Sequence, residues 1–140
     1  MIVLEGAATT KERKAGRNQA LVLDALRRAG KPMRAYDLLR ALREQGIHSP
    51  PQIYRALDRL IEEGTVHRLE SLNAFAACDC HDGRGHGHAA FAICTRCGRT
   101  NEVHDAALEQ VLRRLAEKQG FRTRSAAVEL SGLCEACANG

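Results

Sequence analysis

Apolar residues in the N-terminal half recur at helical spacing in three short runs. In residues 19–29, Val22, Leu26 and Ala29 share one stripe, with Asn18 as the expected cap and Gly30 just past the end. Lys31-Pro32 breaks the pattern. Residues 34–45 resume it with Ala35, Leu38, Leu39 and Leu42, and Gly46 stops it. Ser49-Pro50-Pro51 opens the third run, a Ser cap followed by Pro in the first turn. Ile53, Leu57, Leu60 and Ile61 form its stripe, and Gly64 ends it. Val66–Leu69 and Ala74–Ala77 then read as two short strands around a turn at 71–73. Three short helices followed by a β-hairpin predict a winged helix-turn-helix. Residues 1–16 lack clear periodicity and read as a basic, partly flexible arm.

After Cys78 the character changes. Residues 79–87 are rich in Gly, His and Asp and mark a domain boundary. Residues 89–93 and Thr100–Val103 read as strands. Asp105 caps an amphipathic helix running to Gln119, with Ala107, Leu108, Val111, Leu112 and Leu115 apolar, and Gly120 stops it. Residues 126–130 form a further strand. The class is α+β: a winged helix followed by a small α/β unit of about three strands and one helix.

Composition narrows the partners. At 140 residues the chain holds one ordinary domain or two small ones, and aromatics are only 4%, with no Trp. Residues 1–70 carry 13 Lys/Arg against 9 Asp/Glu, whereas residues 71–140 carry 8 of each. The whole net charge of +4 therefore lies in the winged-helix half, which favours nucleic acid as its partner. No apolar run reaches membrane-spanning length, so no membrane association is expected. Met-Ile-Val-Leu is too short for a leader and is followed by Glu5, so the expected compartment is the reducing cytoplasm.

Candidate chemistry begins with two cysteine knuckles. Cys94-Thr-Arg-Cys97 and Cys134-Glu-Ala-Cys137 each set two thiols two residues apart. Two such knuckles complete a closed tetrahedral zinc site, whose affinity doubles as folding energy. In a reducing compartment disulfides are disfavoured, and a redox Cys-x-x-Cys would explain one pair rather than two. A second constellation comprises His67, Cys78, Cys80, His81, His86, His88, Glu102 and His104. Its plain alternative is a solvated linker that meets metal incidentally. Cys78 is a soft ligand at the boundary, and a thiolate with imidazoles favours zinc over iron or manganese. His67 would enter from the wing and Glu102 from the second domain, so the site would tie domain orientation to metal concentration. On the third helix, Gln52, Arg55, Arg59 and Glu62 lie opposite the apolar stripe, with Tyr54 at the flank. Arg55 is the expected base or phosphate contact, supported by Tyr54, Arg59 and Gln52. Arg68 on the wing could reach a phosphate. Solvated surface is the plain alternative for these arginines.

The stretch Pro50-Pro51-Gln52-Ile53-Tyr54-Arg55-Ala56-Leu57-Asp58-Arg59-Leu60 resembles the recognition helix of the ferric uptake regulator family. Ala35-Tyr36-Asp37-Leu38-Leu39, Val66-His67-Arg68-Leu69-Glu70-Ser71, Ile93-Cys94-Thr95-Arg96-Cys97-Gly98 and Gly132-Leu133-Cys134-Glu135-Ala136-Cys137 are similar to its zinc uptake regulator branch. The resemblance covers about residues 18–137. It implies a homodimeric, zinc-sensing transcriptional repressor of zinc-uptake genes. The implied domains are a winged-helix DNA-binding domain at 1–78, a hinge and metal-binding loop at 79–88, and a zinc-stapled dimerisation domain at 89–140. Two zinc ions per chain are implied. The structural one falls on Cys94, Cys97, Cys134 and Cys137. The regulatory one falls on His67, Cys78, Glu102 and one loop histidine, His86 by its distance from Cys78, with His88 as the rival. Cys80, His81 and His104 have no assured counterpart and are candidates for a further, weaker site. The implied partner is a two-fold symmetric double-stranded operator, with no small-molecule substrate and no enzymatic activity. Sensing of another metal or of peroxide is the alternative on the same fold. A zinc store, or a zinc hydrolase using Glu102 as base, is the alternative outside it. The chain has no His-Glu-x-x-His pattern, and four protein ligands leave no open position on the metal.

Overall fold

The computed structural model describes residues 10–78, 88–124 and 126–140, with side chains described for 13–78, 90–124 and 126–140. Cys80, His81 and His86 therefore lie outside the described residues, as does the side chain of His88. Among the described residues no helix is long and apolar enough to cross a membrane.

The N-terminal unit begins with α1 (Thr10–Ala29). The helix starts well before the expected position: Asn18 does not cap it but sits in its interior. Asn18 is only 7% exposed and lies one turn ahead of Val22 and Leu26 on the buried stripe. The sequence from Thr10 to Gln19 contains good helix formers, and they carry the helix through Gly16, a residue that costs about 1 kcal/mol in a helix interior. α2 (Ala35–Leu42) follows, then a 3-10 turn at Arg43–Gln45, so the expected helix at 34–45 ends in a tighter turn. Arg17 Nη2 donates to the Gln45 carbonyl at 2.9 Å and fastens this turn to α1. α3 (Pro50–Glu62) starts at Ser49 as expected. The Gln52 side-chain oxygen accepts from the backbone N–H of His48 (2.9 Å) and of Ser49 (3.2 Å), which satisfies donors at the helix entry. Val22, Leu26, Leu38, Leu42, Ile53, Leu57 and Leu60 close one core among the three helices.

β1 (Val66–Leu69) and β2 (Ala74–Ala77) pair antiparallel with His67 opposite Ala76 and Leu69 opposite Ala74. Met33 adds a two-bond bridge to Phe75 at the hairpin's outer edge. Alternation along these strands gives the hairpin two buried faces. Val66, Phe75 and Ala77 pack on the helical core, whereas Leu69 and Ala76 pack on the C-terminal unit.

The C-terminal unit is a three-stranded sheet in the order β4-β3-β5. β3 (His88–Cys94) pairs antiparallel with β4 (Thr100–Val103) and parallel with β5 (Ala126–Gly132). α4 (Ala106–Lys118) is capped by Asp105, whose Oδ1 accepts from Ala107 N at 2.7 Å and Leu108 N at 3.3 Å. α5 (Glu135–Ala138) is a single turn at the C-terminal end. No residue of α4 is buried in the single chain. Val103, Val111, Leu115 and Leu130 stay about half exposed.

Candidate metal centre

The parallel pairing of β3 with β5 builds the first cluster. Cys94 ends β3 directly beside Gly132 at the end of β5, so the two knuckles leave the same end of the sheet. The first knuckle closes when Gly98 N–H donates to the Cys94 carbonyl at 3.0 Å. Gly98 has φ +79°, the left-handed backbone that glycine takes without strain. Thr95 N donates to the Gly132 carbonyl at 2.8 Å, and Arg96 Nη1 to the Cys137 carbonyl at 3.3 Å, which cross-links the knuckles. All four Sγ atoms of Cys94, Cys97, Cys134 and Cys137 lie within 4.8 Å of one another, and all four thiols are free.

This donor set fits zinc. Zinc–sulfur bonds of about 2.3 Å place tetrahedral sulfurs about 3.8 Å apart, and the Cys97 and Cys134 sulfurs stand 3.7 Å apart. The backbone N–H groups of Cys97 and then of Cys134 hold the Cys94 thiol down to about 5. The Cys137 N–H lowers Cys134. Cys137 is pushed up to about 12, first by the Cys134 thiol and then by that of Cys94. Backbone dipoles thus favour thiolates here, and crowding among sulfurs opposes the last of them. A bound dication removes that opposition.

The second cluster straddles the two units. Cys78 follows β2, where its N–H donates to the Thr65 carbonyl at 2.8 Å and continues the hairpin register. It shares with His67 the hairpin face turned to the sheet. Glu102 on β4 answers from the other side. His67 Nε2 lies 3.7 Å from Glu102 Oε1, and both side chains are only 7% exposed. The Cys78 sulfur lies 3.5 Å from the same oxygen. His104 Nε2, on the more open side, lies 3.3 Å from it. His67, Cys78 and Glu102 offer donors within 4.8 Å of one another, as ligands of one small cation would. Cys78 is disulfide-bonded in this structure. Its ligation of a metal therefore requires the reduced thiolate.

The exposed side of α3 carries Tyr54, Arg55 and Arg59, and Tyr54 is 48% exposed. Arg55 and Arg59, with Gln52 and Glu62, line a groove of about 550 Å³ whose other wall is Lys14, Ala15, Asn18 and Gln19 of α1; Tyr54 lies outside it. Lys14 and Ala15 of that wall fall within residues 1–16, which read from the sequence as an arm, and no apolar stripe there marks the helix. The Gln52 oxygen is occupied by the helix cap, which leaves its amide nitrogen as the donor open to further contacts. Arg68 is engaged locally, with Nε 3.5 Å from Glu70 and its guanidinium 5.9 Å from the Phe75 ring. Tyr36 on α2, unassigned from the sequence, is 66% exposed beside the Arg40 guanidinium.

The model of the ferric uptake regulator family matches residues 9–131. The chain belongs to this family. A curated relative, the zinc uptake regulation protein of Escherichia coli, is 45% identical over 104 residues, which are 74% of this chain and 60% of that protein. The match thus spans less than two thirds of that relative. The crystal structure of holo XcZur superposes with a TM-score of 0.74 at 41% identity, covering 88% of this chain and 85% of that one. A zinc uptake regulator complexed with zinc and DNA also superposes at 0.74, with 34% identity and coverage of 94% and 97%. The winged helix joined to a zinc-knuckle unit is therefore the architecture of this family, as the resemblance implied.

Proposed function

We propose that this chain is a zinc-responsive, DNA-binding transcriptional repressor of zinc-uptake genes, acting as a homodimer. The observation that carries the reading is the seam cluster. His67 and Cys78 from the hairpin, and Glu102 from the C-terminal sheet, bring a borderline-soft ligand set together between two units. The thiolate favours zinc over iron or manganese. The E. coli relative carries the name of zinc uptake regulation, and a solved relative holds zinc and DNA together, which supports the same choice.

In this reading Cys94, Cys97, Cys134 and Cys137 hold a structural zinc, and His67, Cys78, Glu102 and the loop residue His86 hold a regulatory one, two per chain. Zinc supplies the positive charge that lets buried anionic and imidazole donors share one small space. His67 and Cys78 then fix the hairpin against Glu102. α3 hangs from that hairpin through Thr65, whose N–H and Oγ1 both donate to the Leu60 carbonyl at 3.0 and 3.2 Å. Orientation set at the seam is thereby passed to Arg55, Tyr54 and Arg59. The half-exposed Val111, Leu115 and Leu130 supply an apolar surface for a second copy, which would place two α3 helices about one DNA turn apart. Metal and DNA favour one arrangement, so each tightens the other, by ~1–3 kcal/mol in typical coupled systems.

A mobility-shift assay on promoter DNA of zinc-uptake genes tests this. The reduced protein is expected to shift the DNA with zinc and to release it when a chelator is added. A shift indifferent to the chelator would remove the sensing role. Arg55→Ala is expected to weaken specific binding by roughly 1–3 kcal/mol. Scrambled DNA is the control, and an unchanged ratio of specific to scrambled affinity would remove Arg55 from sequence readout.

A further inference from the structure

Phe91, at the middle of β3, pairs with Glu102 of β4 on one side and with Glu129 of β5 on the other. Residues in register on neighbouring strands share a face, so Glu102, Phe91 and Glu129 form one row across the sheet. The row faces the hairpin. At one end Glu102 meets His67 and Cys78. In the middle Phe91 is 1% exposed, packs with Leu69, and stands edge-on to His67 with ring centroids 5.8 Å apart. At the other end Glu129 meets Ser71, in the turn that joins β1 to β2. Ser71 Oγ donates to Glu129 Oε1 at 2.6 Å, and Ser71 N–H lies 3.3 and 3.4 Å from the two carboxylate oxygens.

The two ends differ in chemistry. The Glu102 end gathers imidazole and sulfur, donors that suit zinc. The Glu129 end uses a hydroxyl and a backbone amide on a carboxylate, a charge-assisted pair complete without any metal. With only the apolar contact of Leu69 on Phe91 beyond the Glu102 end, the hairpin has no directional tie against swinging about that end. Held also at the far side of the sheet, two strand spacings or about 10 Å away, it is aligned.

We propose that Ser71 and Glu129 form a metal-independent latch, and that Glu129 is a positioning residue which presents His67 and Cys78 to Glu102 before metal arrives. The latch rests on the reading of the seam cluster as a zinc site. Its effect follows from populations. Ligand affinity is reduced by the fraction of molecules already in the competent arrangement, so losing the latch weakens zinc capture without touching a ligand. Ser71 is exposed and Glu129 half-buried, so the loss is modest, about fivefold, as for a charge-assisted bond partly open to solvent.

The test is a zinc titration of the full, reduced chain against a competing chelator, resolving the first and second zinc. Ser71→Ala and Glu129→Gln are each expected to weaken the second zinc about fivefold and to leave the first unchanged. The double variant is expected to lose no more than either single one, and Ser71→Thr, which keeps the hydroxyl, to restore affinity. A general folding defect would instead move the first zinc too. Second-site affinity unchanged in both single variants, or losses that add in the double variant, would overturn the latch alone. A wild-type chain that takes up only one zinc would overturn the reading of the seam, and the latch with it.

Discussion

Cys94→Ser is expected to unfold the C-terminal half while the three-helix core survives. Cys94 is 4% exposed at the end of β3, in register with Gly132, and its sulfur accepts from the Cys97 N–H at 3.5 Å. Serine keeps the size but not a zinc-ligating thiolate. The C-terminal unit has little to replace the lost staple. Among its described residues only Ala90, Phe91, Ile93 and Cys94 are buried, and no residue of α4 is more than partly buried in the single chain. Structural zinc is worth apparent values of about 10–16 kcal/mol in small metal-folded peptides. A whole domain has only about 5–15 kcal/mol of net stability. Losing one of four ligands therefore exceeds what so small a core can absorb. The variant should bind one zinc fewer per chain, lose cooperative melting of the sheet and sediment as a monomer. A dimer that melts like the wild type would remove the structural role.

Cys78→Ser should do the opposite. The residue lies at the seam, outside both hydrophobic cores, and its backbone bond to Thr65 is kept. Stability should stay within about 0.5 kcal/mol, as for substitutions away from packed features. Zinc at the seam should weaken by more than about 100-fold, since removing even an outer-shell partner costs 10–100-fold. The measurements are zinc stoichiometry, thermal melting and zinc-dependent DNA binding on reduced protein. The expected pattern is an intact melt, the first zinc retained, and a DNA response that no longer follows zinc. An unchanged response would take Cys78 out of the sensing set. The pair of variants separates scaffold from switch: one loses fold and metal together, the other only the response.

Much of this was legible in the chain because its causes are local. The stripes Leu38–Leu39–Leu42 and Ile53–Leu57–Leu60 are set by helical period, and the start at Ser49-Pro50 by cap chemistry; all six leucines and isoleucines are buried as the period requires. The hairpin bounds Val66–Leu69 and Ala74–Ala77 and the Asp105 cap appear where the residue pattern puts them. The start of α1 was not legible. Gly16 and the charged run around it mask a helix that packing against α3 stabilises, and helix propensity is a weak prior beside such packing.

The sequence by itself determined the residue types available to both clusters and the short spacing within the four-cysteine one, because both are written in the chain. Cys94 and Cys97 need only one tight turn to converge, and so do Cys134 and Cys137. It could not determine that the two turns meet, since that depends on β3 and β5 pairing in parallel across an intervening strand and helix. Nor could it determine that the hairpin read as a wing would bury its His67–Leu69 face on the sheet. Strand register relates residues by hydrogen bonds between distant segments, and no local pattern encodes the partner. The same holds for Glu129, an unremarked acid in a strand until the register set it in one row with Phe91 and Glu102 and brought it to Ser71.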